Sequence, residues 1–253
     1  MVIPRLRRLA PLAAFVVAAG PLAAGPALAA PRAVIELYTS QACGFCPPAD
    51  ALLAHYADRD DVVALGFHIT YWDFHDWTDT LARTANDRRQ IAYSQVFGVG
   101  PVFTPQVIIN GVREAIGSES LTIRNTIDEL AAAGQTPDLP VEIALGTDQI
   151  EVSVAGASGN PEPAKVFIVY FIHEVVASIE DGQNIGLTIP YSNVVRSMQE
   201  IGTWTGEAAE FQLPIAQMDR YRADGAAILV QREDADGNPG AILGAAVAMR
   251  DDA

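Results

Sequence analysis

The chain contains only two cysteines, Cys43 and Cys46, three residues apart in the string Thr39-Ser-Gln-Ala-Cys-Gly-Phe-Cys-Pro-Pro. The apolar run Ala33 to Tyr38 leads into this string, and Pro47 to Asp58 follows it with Leu52, Leu53 and Tyr56 at helical spacing. Prolines are tolerated in the first turn of a helix, so the pair is expected to sit where a strand ends and a helix begins. Cysteines at i and i+3 can close a small disulfide. At a helix N-terminus the unpaired N–H groups and the dipole stabilise a thiolate, which points to Cys43 as nucleophile and Cys46 as the thiol that resolves a mixed disulfide. An inert staple is the competing reading, but so short a loop removes little unfolded-state entropy. Half of a zinc site is a second alternative, and no further cysteine exists to complete a thiolate set.

Whether such a pair oxidises depends on the compartment. Arg5, Arg7 and Arg8 precede an apolar, Ala-rich stretch from Leu9 to Ala24, and Ala27-Leu28-Ala29 has the small residues of a cleavage site. Residues 1–29 therefore read as an export signal, leaving a soluble protein in the periplasm or outside the cell, where disulfides persist. Prolines at 11, 21 and 26 argue against a membrane anchor. The whole chain carries a net charge of −15. Such an acidic balance argues against a nucleic-acid groove or an anionic membrane surface, which both need basic patches.

Beyond the signal, two textures meet near residues 135–139. In residues 30–136, a second apolar strand (Val62 to His68) and a helix over Asp79 to Phe97 stopping at Gly98 follow the first pair of elements. A third strand, Gln106 to Asn110, turns through Asn110-Gly111 into Val112 to Ile116. Ser118 is expected to cap a last helix with Leu121, Ile127 and Leu130 inward. The order is β-α-β-α-β-β-α, with the first two strands parallel. Residues 137–253 read as all-β: Val141, Ile143 and Leu145 alternate, as do Ile150, Val152 and Val154. Ala164 to His173 is a near-continuous strand, and Gly225 to Arg232 pairs with Ala241 to Met249 across an acidic turn. That turn lacks the Gly and Glu of a calcium loop. Val176 to Glu210, with five Gly or Pro, reads as an irregular excursion. A small sandwich is the expectation for this half.

Three further groups of residues bear on chemistry. Thr104-Pro105 opens the third strand. A cis bond there would turn Thr104 so that its backbone offers edge N–H and C=O groups to an extended peptide, while a trans proline would merely open an edge strand. His68-Ile-Thr-Tyr71-Trp72-Asp73-Phe74-His75-Asp76-Trp77 leaves the second strand at the same edge as the cysteines. It could form an aromatic wall for a peptide or thiol, with His68 tuning Cys43, or its rings could pack the following helix on the sheet. Glu36 lies mid-strand. Turned beneath the cysteines it could take the Cys46 proton; turned away it would meet solvent or a salt bridge.

Taken together, the Cys-x-x-Cys and Thr104-Pro105 resemble the thioredoxin superfamily over residues 31–134. The longer strings VIELYTSQACGFCPPADALL, FHITYWD and TPQVIINGV resemble a bacterial family of secreted thioredoxin-like proteins of unknown function (domain of unknown function 1223). In most relatives of this pattern serines stand between the cysteines, where this chain has Gly44-Phe45. The resemblance implies that Cys43 attacks, Cys46 resolves and Pro105 is cis beside them. The expected architecture is an α/β thioredoxin-like domain followed by a mostly-β, sandwich-like C-terminal domain. The expected function is thiol–disulfide exchange of the reductase or isomerase type. Cys43, Cys46, Pro105 and Glu36 are its candidate catalytic residues, and Thr104, Phe45, His68, Tyr71 and Trp72 contact the substrate. It needs no cofactor and no metal. The substrate would be a disulfide- or thiol-containing protein or a small thiol, and a separate redox partner would reset the pair. Two rivals differ in class. One is copper delivery through Cys43 and Cys46 with His68 or His75; the other is a binding module whose disulfide never opens.

Overall fold

The computed structural model describes residues 30–250, apart from residues 74, 75, 99 and 160. The expected export signal and His75 lie outside the described residues. β1 (Ala33–Thr39) and β2 (Val62–His68) run parallel, linked by α1 (Pro47–Ala57). After α2 (Thr84–Phe97), β3 (Gln106–Ile109) pairs antiparallel with β1 and turns into β4 (Arg113–Ile116). Asn110 and Gly111 make that turn with φ of 52° and 71°, as a two-residue hairpin requires. Asp79 lies ahead of α2, which ends on Gly98 in the left-handed region (φ 62°). In α3 (Ser120–Ala132), Ile123, Ile127 and Leu130 are buried while Leu121 is exposed.

The sheet does not end with these four strands. β7 (Ala164–Ser178) and β8 (Thr188–Trp204) form a long antiparallel arm, and β8 pairs parallel to β2 at Gly66 and Val194. β10 (Gly225–Glu233) and β11 (Pro239–Met249) extend the far side of β7. The result is one eight-stranded mixed sheet in the order β11-β10-β7-β8-β2-β1-β3-β4. A three-stranded sheet of β5 (Val141–Leu145), β6 (Gln149–Val154) and β9 (Ala209–Pro214) covers one end of it, with the short α4 (Ala216–Tyr221) alongside. Eleven strands and four short helices make the described residues mostly β.

This overturns the expected thioredoxin-like α/β domain followed by a separate β-rich domain. Residues of both halves share a sheet and also a core: Tyr38, Phe67 and Tyr93 pack with Phe171, Leu229 and Ile242. The irregular excursion expected over Val176 to Glu210 is mostly strand, contributing the end of β7, all of β8 and the start of β9. Four glycines and one proline obscured the pattern: Gly182 and Gly186 lie in the arm's tip, Pro190 and Gly202 within β8 near its ends, and Gly206 just beyond it. No helix of the described residues is long and apolar enough to cross a membrane.

The two faces of the sheet differ. Ile35 and Leu37 point to α1 and α3, with Leu53, Val107, Ile109 and Ile127. Val34 and Tyr38 point to α2 and to the second-half strands. The join at β8 needs Gly66. A Cβ there would stand 3.1 Å from the Ser192 carbonyl oxygen and 3.3 Å from Leu53 Cδ2. Asn193, at φ 46°, donates its side-chain amide to the Ala64 carbonyl at 2.9 Å and locks the same contact. Gly66→Val is expected to lower stability by about 1–3 kcal/mol through overpacking against backbone. Urea unfolding measures it, and an unchanged midpoint would contradict the account of this join.

Candidate functional site

Cys43 and Cys46 form a disulfide, with Cα atoms 5.4 Å apart, at the carboxyl end of β1. The chain leaves β1 and turns tightly, with the Cys43 N–H donating to the Ser40 carbonyl and the Cys46 N–H to the Cys43 carbonyl, both at 3.1 Å. Cys46 is the N-cap of α1 and prolines fill the first helical positions. The nucleophile candidate Cys43 thus precedes the helix by one turn. Both cysteines are fully buried, yet Phe45 between them is 75% exposed.

The Thr104–Pro105 peptide is cis. It lies against the disulfide, the Thr104 carbonyl oxygen 3.9 Å from Cys43 Sγ. Thr104 Oγ1 is buried without a hydrogen-bond partner among the described residues. Gly117 holds Pro105 from behind, its N–H donating to the Pro105 carbonyl at 2.8 Å.

Beneath the cysteines lies a buried polar cluster that sequence reasoning missed in part. Asp50 stands four residues after Cys46, its N–H donating to the Cys46 carbonyl at 3.0 Å. Its carboxylate accepts from Thr39 Oγ1 at 2.7 Å through Oδ1, while Oδ2 is buried with no partner among the described residues. Burial pushes this carboxyl up to about 7, against the opposing pull of the His68 ring and the Thr39 hydroxyl. His68 turns Nδ1 to Asp79 Oδ2 at 2.7 Å, both side chains being buried. Burial raises the Asp79 carboxyl, but the His68 ring and the backbone N–H groups of Gln41 and Leu81 more than offset it and hold Asp79 below the usual range. The Tyr191 ring of β8 meets the His68 ring edge to face at 4.7 Å, and its hydroxyl is buried without a partner among the described residues.

The tip of the β7–β8 arm closes the site from outside. Asn184 donates its amide to the Gln41 and Cys43 carbonyls, each at 2.9 Å, and Gln183 Oε1 accepts from the Gly44 N–H at 2.9 Å. Gln41 in turn accepts from the Trp77 indole at 3.0 Å and, at 3.2 Å, from the Thr80 N–H.

The remaining candidates are not gathered here. Glu36 faces away from α1 and is taken by Arg89 in a two-pronged ion pair at 2.6 and 2.9 Å, with the Tyr93 and Tyr38 hydroxyls donating to it as well. It sits in a salt bridge on the other face and not beneath Cys46, because strand alternation sends residues 36 and 39 to opposite sides. Tyr71 and Trp72 pack against the α2-side core, and the Tyr71 hydroxyl donates to Gln90 at 3.0 Å. No group of three or more His, Cys, Asp or Glu side chains among the described residues is placed to hold a metal ion. Asp50 was legible in principle as a lone acid one turn behind Cys46. Gln183, Asn184 and Tyr191 carried no such signal, since only the fold brings them in.

The model of a family described as protein of unknown function (DUF1223) matches residues 34–231. The chain belongs to that family. A crystal structure of an Agrobacterium tumefaciens protein, 32% identical, superposes with a TM-score of 0.81, covering 88% of this chain and 96% of that one. HBP35 of Porphyromonas gingivalis is 13% identical with a TM-score of 0.56, over 89% of this chain and 77% of its own, a likeness of fold alone. No curated protein matches. The family match runs from β1 into β10, so it spans the cysteines, the cis peptide and the arm that covers them.

Two predictions follow from this DUF1223 site. Asp50 binds its proton more tightly folded, at about 7, than its ordinary 3.8. The folded state therefore holds the extra proton between these values, and stability falls as pH rises through that window. Asp50→Asn is expected to flatten the fall and to raise stability near pH 8, read by urea unfolding at several pH values. Asn184→Ala removes two of the three hydrogen bonds that pin the tip, so dithiothreitol should reduce the disulfide roughly five- to tenfold faster, as timed by thiol trapping. An unchanged rate would mean that the tip does not cover the sulfurs.

Proposed function

We propose that the chain is an exported thiol–disulfide oxidoreductase acting through Cys43 and Cys46. One observation carries the reading: the disulfide stands at a helix N-terminus with a half-satisfied carboxylate, poised at about 7, one turn behind Cys46. A purely structural disulfide has no use for a proton acceptor, and a buried, partly unpaired carboxyl costs stability. The cis Thr104–Pro105 peptide beside Cys43 adds support. At the level of this site, not of the whole fold, the arrangement resembles that of thioredoxin-superfamily enzymes.

In the reduced protein the Cys43 thiolate attacks a substrate disulfide. A Cys43–substrate bond forms and one substrate sulfur leaves as thiolate. Asp50 takes the proton of Cys46, whose thiolate then attacks Cys43 Sγ, releasing the second substrate sulfur and closing the Cys43–Cys46 disulfide. A partner dithiol restores the reduced pair by the reverse steps. Since both sulfurs are buried, the Gln183–Asn184 tip withdraws before a substrate enters. Phe45, exposed beside the disulfide, and the Thr104 backbone then meet an extended polypeptide.

A glutathione titration with alkylation and mass readout is expected to give a reduction potential between about −120 and −270 mV. A value below about −300 mV would make the disulfide structural and overturn the proposal. Cys43→Ser should abolish exchange with a peptide disulfide while leaving the fold intact. Asp50→Asn should slow the resolving step and remove the inflection near neutral pH.

A further inference from the structure

A cavity of about 640 Å³ lies on the α2 face of the sheet, away from α1. Its rim is the first turn of α2, the end of β2, the start of β7, the middle of β8 and the end of α4. Two arginines line it, Arg83 from the N-cap of α2 and Arg196 from β8, and neither makes a salt bridge among the described residues. The Nε–H groups of both are buried without an acceptor among the described residues. Burial pushes the Arg196 guanidinium down, and the positive charges of Arg83 and Arg222 push it the same way. In a chain with 31 acidic residues, leaving these cations together with no carboxylate partner among the described residues is a cost that a bound anion would remove.

Two other features agree. Among the described residues no side chain caps α2, so the N–H groups of its first turn, at Thr84 and Ala85 on the cavity wall, remain available to an anion. The Arg83 N–H and the Asn86 amide both donate to the His68 carbonyl, at 3.1 and 2.8 Å, which fixes this turn from below. A third arginine on the wall, Arg89, is spent on Glu36. The rest of the lining includes Phe67, Phe167, Met198 and Tyr221. This volume and this mixture of apolar wall with a few convergent polar groups suit a small organic molecule.

We propose that the cavity binds a small organic anion. Its carboxylate or phosphate head lies between Arg83, Arg196 and the first turn of α2, and its apolar body lies against Phe167, Met198 and Tyr221. The planar guanidinium forks match either head group in a two-pronged contact, where a lysine would offer a point charge.

Phenyl phosphate is the probe, titrated into the full chain by calorimetry. One-to-one saturable binding is expected, with phenol, which keeps the ring and lacks the charge, at least about tenfold weaker. Arg83→Gln and Arg196→Gln should each weaken phenyl phosphate about tenfold or more, with Arg196→Lys intermediate. Thermal unfolding of the same samples shows that the variants are folded; both Gln changes remove an unpaired cation and should not lower stability. Absence of saturable heat up to about 10 mM probe overturns the proposal. So does phenol binding as well as phenyl phosphate, or wild-type affinity in both Gln variants.

Discussion

The approach of β8 to β2 is the contact on which the rest of the molecule depends. The two strands touch through a single paired position, Gly66 with Val194, where the absence of a side chain lets backbone meet backbone. Asn193 takes a left-handed conformation that Asn tolerates better than most residues, and spends its amide on the Ala64 carbonyl. Through this join the first-half strands gain β8, β7, β10 and β11, and the shared core closes over both. The same join aims the β7–β8 arm, so its tip arrives over the cysteines and Tyr191 arrives beside His68.

The sheet then separates two electrostatic problems. On the α2 face, Glu36 is buried but fully engaged by Arg89, Tyr93 and Tyr38, and Gln231 of β10 completes the network by accepting from Arg89 at 2.8 Å. This is a buried ion pair with its remaining hydrogen bonds made, the condition under which such a pair is tolerated. On the α1 face the acid is left half-satisfied. Among the described residues, one Asp50 oxygen and the hydroxyls of Thr104 and Tyr191 find no partner. A structure that satisfies one buried carboxylate so completely and another so poorly places its tension beside the disulfide.

Burial of the disulfide changes how exchange would proceed. With both sulfurs at zero exposure, access depends on a short, polar tip held by three hydrogen bonds from Gln183 and Asn184. Such a contact is far easier to open than the paired arm behind it. Phe45, between the cysteines, and Ile185, at the tip, are both exposed apolar side chains.

Local elements were legible because they follow from local chemistry. The strand before the cysteines, the helix after them and the Asn110-Gly111 turn each rest on residues within a few positions of one another. The face taken by Glu36 needed only strand alternation relative to Thr39, yet its ion-pair partner, 53 residues away on α2, could not be read. Helix α2 began later than its composition suggested, because Asp79 is held by His68 and not by the helix. The cysteine pair, its place between strand and helix, and the hairpin were thus determined by the sequence alone. The continuation of the sheet through β8, the covering of the disulfide and the pairing of Arg83 with Arg196 across a cavity were decided by tertiary structure. These depend on a close backbone approach at one glycine, and long-range contacts of that kind leave no periodicity in the chain.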